Sequence, residues 1–504
     1  MPAPTLMVQG TTSHAGKSVL VAGLCRVFAR RGLSVAPFKS QNMALNSAVT
    51  PEGAEIGRAQ AFQALGAGVE SHADMNPILL KPCSPTGSQV VVLGKSVGVM
   101  LVREYHAYQA EVWPVVTAAL ARLRQDRDLV VIEGAGSPAE INIRHRDIAN
   151  MAVALHANSP VIIVADIDRG GVFAHLVGTM ELLTPDERAL VAGFVINRFR
   201  GDASLLDSGI TMLEERYGVP VLGVLPYLTD WRGDEEDSLG IEEVATTVTA
   251  EKAELTVAAI RLPYVSNFTD VAAVGAEPDV AVRWARTPAD IERVDAIVIP
   301  GSKSTADDLA WLRSSGLADA IATAARAGTP VVGVCGGYQM LGTRIEDPLG
   351  VEGGDVDGLG LLDVTTVFDA EKRTIRASGV LTGAAIAAEG TPARGYEIHM
   401  GRTTLGESAR PLARIEATDG TIYHDGAASI ELPVCGTYLH GFFDDAALRR
   451  AWLDGLRERR GLAPLAPDAA AARLADPLDR LADMLEEHLD LEAVARMVGI
   501  EEAQ

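Results

Sequence analysis

Short runs of branched apolar residues recur along the chain, separated by longer stretches with helical spacing. In the first half these runs fall at 6–9, 35–38, 129–133, 161–166, 191–197 and 221–225. Buried strands alternating with helical spacers predict a parallel sheet with crossover helices, an α/β domain over residues 1–228. An acidic, turn-rich stretch follows, Thr229-Asp-Trp-Arg-Gly-Asp-Glu-Glu-Asp-Ser238. It predicts a linker over 229–250, with an interaction tail as the alternative. The alternation then restarts, with strands predicted at 255–261, 296–300 and 331–334 and a helix near 307–314. A second α/β domain is therefore expected over 251–447. Beyond it, Leu448, Trp452 and Leu456 recur at helical spacing and predict a packed helical tail over 448–504.

At 504 residues the chain is too long for a single core, which agrees with the two domains read from the pattern. Four scattered cysteines are too few for a disulfide framework or a zinc site, so a reduced, cytoplasmic setting is expected. The start of the chain lacks the charge and apolar pattern of a secretory leader, and no apolar run is long enough to span a membrane. A net charge of −23 excludes nucleic acid as an expected partner, because phosphate backbones are met by clustered Lys and Arg. An anionic substrate must be met by a local positive site.

The first candidate chemistry lies in Pro330-Val-Val-Gly-Val-Cys-Gly-Gly-Tyr-Gln-Met-Leu-Gly342. An apolar strand breaks there at a cysteine followed by two glycines and a helix start. That arrangement is a nucleophile elbow, with Cys335 exposed on a sharp turn at a site expected to lower a thiol pKa. A base is available downstream in Val434-Cys-Gly-Thr-Tyr-Leu-His-Gly441, where His440 also follows an apolar run. His399 lies in a glycine-flanked strand and ranks below His440; a structural or substrate-contact role suits it better.

The second lies in Gly10-Thr-Thr-Ser-His-Ala-Gly-Lys-Ser18, between the first strand and the first helix. The backbone N–H groups of such a loop cradle phosphates, Lys17 reaches the outer phosphates and Ser18 holds Mg²⁺. Gly10, Thr11 and Gly16 complete the expected ATP-binding loop. The spacing is one residue longer than the usual pattern.

The longer loop resembles those of dethiobiotin synthetase and its relatives. The run Leu129-Val-Val-Ile-Glu-Gly-Ala-Gly136 is similar to theirs as well. The resemblance implies that Glu133 is a Mg²⁺ ligand or holds water, and that Asn197 contacts adenine. Those relatives place a metal-binding aspartate after the second strand. Here Gln41-Asn42 stands there, and Asp166 or Asp168 is the candidate replacement from its strand-end position. In such enzymes ATP turns a carboxylate into an acyl phosphate that an amine displaces. The second half resembles class I-like glutamine amidotransferases. In these, a Pro-Gly loop such as Pro300-Gly-Ser-Lys-Ser-Thr305 lends N–H groups to an oxyanion hole. By that resemblance Gly301 or Ser302, together with Gly336, form the hole, and Gln339 binds glutamine. Together the halves imply that the thiol frees ammonia from glutamine for an amidation in the ATP domain, along a shielded passage.

The order of these motifs resembles the cobyric acid synthase family over nearly the whole chain. Lys39-Ser-Gln-Asn-Met-Ala-Leu-Asn46, Asn76-Pro-Ile-Leu-Leu-Lys-Pro82, Asp166-Ile-Asp-Arg-Gly-Gly171 and Gly395-Tyr-Glu-Ile-His-Met-Gly401 add to it. The resemblance implies ATP- and glutamine-dependent amidation of four carboxylates of a corrinoid, adenosylcobyrinic acid a,c-diamide. The rival readings are the sister a,c-diamide synthase acting on cobyrinic acid, a non-amidating regulatory phosphate-loop ATPase, and a degenerate amidotransferase scaffold. Asn42 and the run 166–171 speak against the first. The absence of an early lysine in the loop speaks against the second, and Cys335, Gln339 and His440 together against the third. One departure concerns the thiol site. Triad amidotransferases carry a glutamate two positions after the histidine, and here Phe442 stands there. Glu397 and Asp444 are the candidate third members.

Overall fold

The computed structural model describes residues 2–84, 86–228, 253–350, 352–383, 385–418, 420–465 and 477–500. The linker expected over 229–250 lies outside the described residues. The chain divides into two compact units that interleave in sequence. One is built from Met1–Ala44, Ile56–Glu236 and Leu474–Gln504, the other from Leu45–Glu55 and Asp237–Arg473.

In the first unit all six expected strands join one parallel sheet, ordered Val221–Pro226, Val191–Phe199, Val161–Asp166, Thr5–Gly10, Leu129–Glu133, Val35–Phe38. The central three are buried at every position. Strands covered on both faces need apolar residues throughout, which is why they read as unbroken runs. The direction of strand addition reverses at Thr5–Gly10, so the loop after Gly10 opens at a topological switch point, where sheets of this class bind ligands. A smaller four-stranded sheet, Gln41–Met43, Ile78–Ser84, Gly87–Val92 and Lys95–Leu101, was not expected from the pattern. Its last strand is almost wholly exposed, its alternating Val97, Val99 and Leu101 included.

The expected tail over 448–504 is not one element. Ala446–Arg459 packs in the second unit with Leu448, Trp452 and Leu456 buried, as their spacing implied. Pro477–His488 and Leu491–Met497 instead complete the first unit. Leu481 and Leu485 cover Gly23 of the helix Lys17–Arg30, where a Cβ would lie 2.9 and 2.5 Å from their side chains. Arg26–Asp479 and Arg30–Asp483 pairs at 2.7 and 2.6 Å flank that contact.

The second unit carries a mixed sheet. Val280–Ala285, Leu255–Ile260, Ala296–Ile299, Val331–Val334 and Val434–Thr437 run parallel, and Ile422–Ser429, Ala409–Ala417 and Val364–Leu381 continue it antiparallel. Val334 is in register with Thr437. The segments that follow these neighbours, one with Cys335 and one with His440, therefore leave the sheet side by side. None of the described helices is long and apolar enough to cross a membrane.

Candidate active sites

The Cys335 thiol, expected to be exposed, is instead buried, because Ile398 and the neighbouring strand cover it. The residue caps the short helix Gly336–Leu341 with φ 51° and ψ −108°. A non-glycine residue there is strained by about 1–3 kcal/mol, and the surroundings must hold it in place. Its N–H donates to the Thr437 carbonyl at 2.8 Å, and its own carbonyl accepts the Gln339 N–H at 3.0 Å. The two glycines are required by close approach. A Cβ on Gly337 would lie 2.0 Å from the Ile299 carbonyl oxygen, and one on Gly336 would lie 2.8 Å from the Ser302 nitrogen. The elbow thus sits directly on the Pro300–Ser302 turn, with the Gly336 backbone packed against that of Ser302. Gly301 and Ser302 form a two-residue strand held by Val265–Ser266. The Ser302 hydroxyl donates to Asp308 at 2.6 Å.

His440 is 1% exposed, and the Cys335 thiol itself faces the Ile398 carbonyl at 3.7 Å. Its Nδ1 lies 2.7 Å from Asp270 Oδ2, and Asp270 Oδ1 accepts the Gly441 N–H at 2.6 Å. Asp270 is equally buried, so the imidazole faces a fixed negative charge in a dry site. Burial alone would lower the His440 pKa. The Asp270 charge and then the Cys335 charge overcome that and push it up to about 10. The Tyr396 ring stacks on the imidazole at 5.5 Å.

Asp270 replaces both expected third members. Glu397 is held by Arg373 at 2.6 Å, by Tyr423 and by His399, and Asp444 is not the group on His440 Nδ1. His399 is engaged elsewhere. Its two ring nitrogens face the Gly401 carbonyl and Glu397, and it stacks on Tyr438 at 3.7 Å. Gln339 is buried in the elbow helix, donating to the Tyr438 hydroxyl at 3.3 Å and accepting from Thr305 at 3.2 Å.

In the first unit Gly16 has φ 97°, and a Cβ there would lie 2.0 Å from Asn197 Nδ2, so only glycine fits. The resemblance puts Asn197 at adenine; here its amide braces the loop, donating to the Ala15 carbonyl at 3.0 Å. Lys17 is buried, and its ammonium donates to the Thr12 and Gly136 carbonyls at 3.1 and 3.0 Å, folded over the loop that would take phosphate. Thr11 Oγ1 is buried without a partner among the described residues, a polar group suited to a phosphate oxygen.

Glu133 is fully buried and accepts from Ser18 Oγ at 2.7 Å, Lys39 Nζ at 2.9 Å and Gln63 Nε2 at 2.6 Å. Burial works to raise its pKa, but the Lys39 charge and the three hydrogen bonds hold it below the usual carboxylate range. A hydroxyl and an ionised carboxylate at the loop end are the hard oxygen donors Mg²⁺ takes, and that ion keeps several waters besides. Among the described residues no cluster of three or more His, Cys, Asp or Glu could hold a metal. Asp166 does not join this pair. Its charge is met by Arg198 at 3.2 Å and Arg169 at 3.7 Å, and Asp168 pairs with Arg200.

Residues 6–239 match the CobQ/CobB/MinD/ParA nucleotide binding domain, and residues 256–448 match the CobB/CobQ-like glutamine amidotransferase domain. A cobyric acid synthase from Sorangium cellulosum is 52% identical, covering 99% of this chain and 100% of its own. Relatives of the same name from Desulforudis audaxviator and Photorhabdus laumondii are 51% and 49% identical over 99% and 97% of this chain, and over 100% and 97% of theirs.

The chain belongs to the cobyric acid synthase family.

Membership makes it an amidating ligase of cobalamin biosynthesis with a nucleotide-binding domain and a glutamine amidotransferase domain. Against that family background, the elbow and the phosphate loop are the parts a motif reveals. Asp270, Lys39 and Gln63 are the partners that sequence reasoning missed. Lys39 carried one signal, a lysine immediately after an apolar strand, in the run 39–46 already singled out for the family.

Proposed function

We propose that the protein converts adenosylcobyrinic acid a,c-diamide into adenosylcobyric acid by amidating four carboxylates, with glutamine as nitrogen source and ATP as activator. The observation that carries this reading is the buried Cys335–His440–Asp270 constellation, set on an elbow over an oxyanion-hole turn. With its pKa near 10, His440 is protonated at neutral pH and acts first as an acid. The Cys335 thiolate attacks the side-chain amide carbon of glutamine, and the Gly336 and Ser302 N–H groups take the developing oxyanion. His440 gives its proton to the departing nitrogen, so ammonia leaves and a glutamyl thioester remains. Water, deprotonated by the now neutral His440, hydrolyses the thioester to glutamate.

In the nucleotide domain, Lys17 and the loop N–H groups orient the ATP phosphates. The γ-phosphoryl group passes to a substrate carboxylate oxygen, ADP leaves, and ammonia displaces phosphate from the acyl phosphate with loss of a proton. Ser18 and Glu133 would hold Mg²⁺, which when bound neutralises charge on the transferring group.

The test uses Cys335→Ala and Lys17→Ala. The first should lose glutamine-supported amidation and keep ammonium-supported amidation with ATP; the second should lose both. Product mass counts the carboxylates converted. Failure of ammonium to rescue Cys335→Ala would sink the two-site reading.

A further inference from the structure

Residues 45–55 come from the nucleotide-binding half of the sequence yet belong to the second unit. Asn46, Ser47, Val49, Thr50 and Glu55 are each 2% exposed or less. Polar groups buried that deeply must be paired, and the partners of Asn46 and Ser47 belong to the elements that carry the thiol site. Asn46 Oδ1 accepts the Phe268 N–H at 3.2 Å, while Asn267 Oδ1 accepts the Ser47 N–H at 2.8 Å. This reciprocal clamp immediately precedes Asp270. The Ser47 carbonyl accepts the Tyr396 hydroxyl at 2.8 Å, and that ring is the one stacked on His440. Val49 packs against Tyr396 and Ile398, and the Ile398 carbonyl faces the Cys335 thiol at 3.7 Å. The far end is tied by Arg376 to the Val49 carbonyl at 2.7 Å and by Lys372 to Glu55 at 2.5 Å.

We propose that residues 45–55 form a positioning arm for the glutaminase chemistry. The arm fixes the turn that carries Asp270, the ring that backs His440 and the carbonyl beside Cys335. Three contacts from one short segment thus orient three different parts of the constellation. This role rests on the glutaminase reading given above. Its consequence is that ammonia release needs a segment encoded within the nucleotide-binding half.

The experiment uses full-length Asn46→Ala, Val49→Ala and Val49→Ile. Glutamine hydrolysis is followed as ammonium and glutamate released, and ammonium-supported amidation is measured on the same preparations. Asn46→Ala and Val49→Ala should lower kcat for glutamine hydrolysis by about ten- to a hundredfold, the scale of a small misplacement of reacting groups. The glutamine KM should stay within about twofold, as expected when an interaction matters only in the transition state. Ammonium-supported amidation should keep the parent rate, and Val49→Ile should recover most of the hydrolysis. In Asn46→Ala the alkaline limb of the pH–rate profile should move down, because a looser Asp270 holds less charge on His440. Unchanged hydrolysis in both alanine variants overturns the proposal. So does an equal loss of the glutamine- and ammonium-supported reactions, which would mark the arm as a general stabiliser. If the parent releases no ammonium from glutamine, the glutaminase reading itself fails and the arm's role falls with it.

Discussion

Replacing Asp270 by Asn tests the thiol site most directly, because it removes a charge while nearly keeping the shape. Asp270 accepts two hydrogen bonds, from His440 at 2.7 Å and from the Gly441 N–H at 2.6 Å. An asparagine has one acceptor oxygen, so one of these buried donors would face an NH₂ group, at a cost of about 1–3 kcal/mol. The electrostatic loss is larger. His440 moves from 6.5 to about 10, which at about 1.36 kcal/mol per pKa unit favours the imidazolium by roughly 5 kcal/mol. Burial opposes that preference, and the Asp270 charge, followed by that of Cys335, creates it. Asp270→Asn should therefore bring the His440 pKa down toward its ordinary value. With the imidazolium depleted at neutral pH, kcat for glutamine hydrolysis should fall by about 10²–10⁴-fold, the upper figure being that of an Asp-to-Asn change in a serine triad. In the parent, hydrolysis needs His440 protonated, so its rate should hold as pH rises and fall only near pH 10. In the variant the fall should begin at least about one unit lower, since an opposite charge beside a titrating group shifts its pKa by about 1–3 units. Ammonium release across a pH series reads both quantities. A variant that kept the parent's rate and alkaline limb would refute the view that Asp270 polarises His440.

Three further outcomes follow from packing and charge. Gly337→Ala should destabilise the second unit by at least about 2 kcal/mol, since its Cβ would meet the Ile299 carbonyl at 2.0 Å; thermal unfolding measures it. Glu133→Gln should cost about 3–5 kcal/mol in denaturant unfolding and abolish ATP-dependent synthesis, because it breaks the buried pair with Lys39 at 2.9 Å. Leu485→Ala, which opens a hole over the helix Lys17–Arg30, should cost about 2–5 kcal/mol in the same measurement.

The parts legible in the sequence are those whose signal is local. Val35–Phe38, Leu129–Glu133, Val161–Asp166 and Val331–Val334 begin and end where their apolar runs do, because both faces are covered. Lys17, Ser18 and Cys335 were legible because a strand-to-helix turn places its chemistry within a few residues of its glycines. Asp270 carried no such sign. It lies in the first turn of the short helix Thr269–Gly275 and meets His440 across a separation of 170 residues, a contact that only the folded sheet creates. The Lys39–Glu133 pair, 94 residues apart, is hidden for the same reason. The long strand Val364–Leu381 escaped notice because it breaks register between Phe368 and Arg373 and is mostly half-buried, so no clean period survives.

The interleaving of the two units also sets an order of assembly during synthesis. The helix Lys17–Arg30 is among the first elements made, and its covering residues Leu478, Leu481 and Leu485 are among the last. At about 5–20 residues per second, the uncovered face waits on the order of tens of seconds for its partner. The second unit needs nothing from that C-terminal segment, and its arm at residues 45–55 is made early. The unit that lies later in the sequence is therefore the first able to close. Until translation ends, the nucleotide-binding sheet carries an apolar helix face for a chaperone to shield, and a message cut short before Pro477 yields a chain in which that face is never covered.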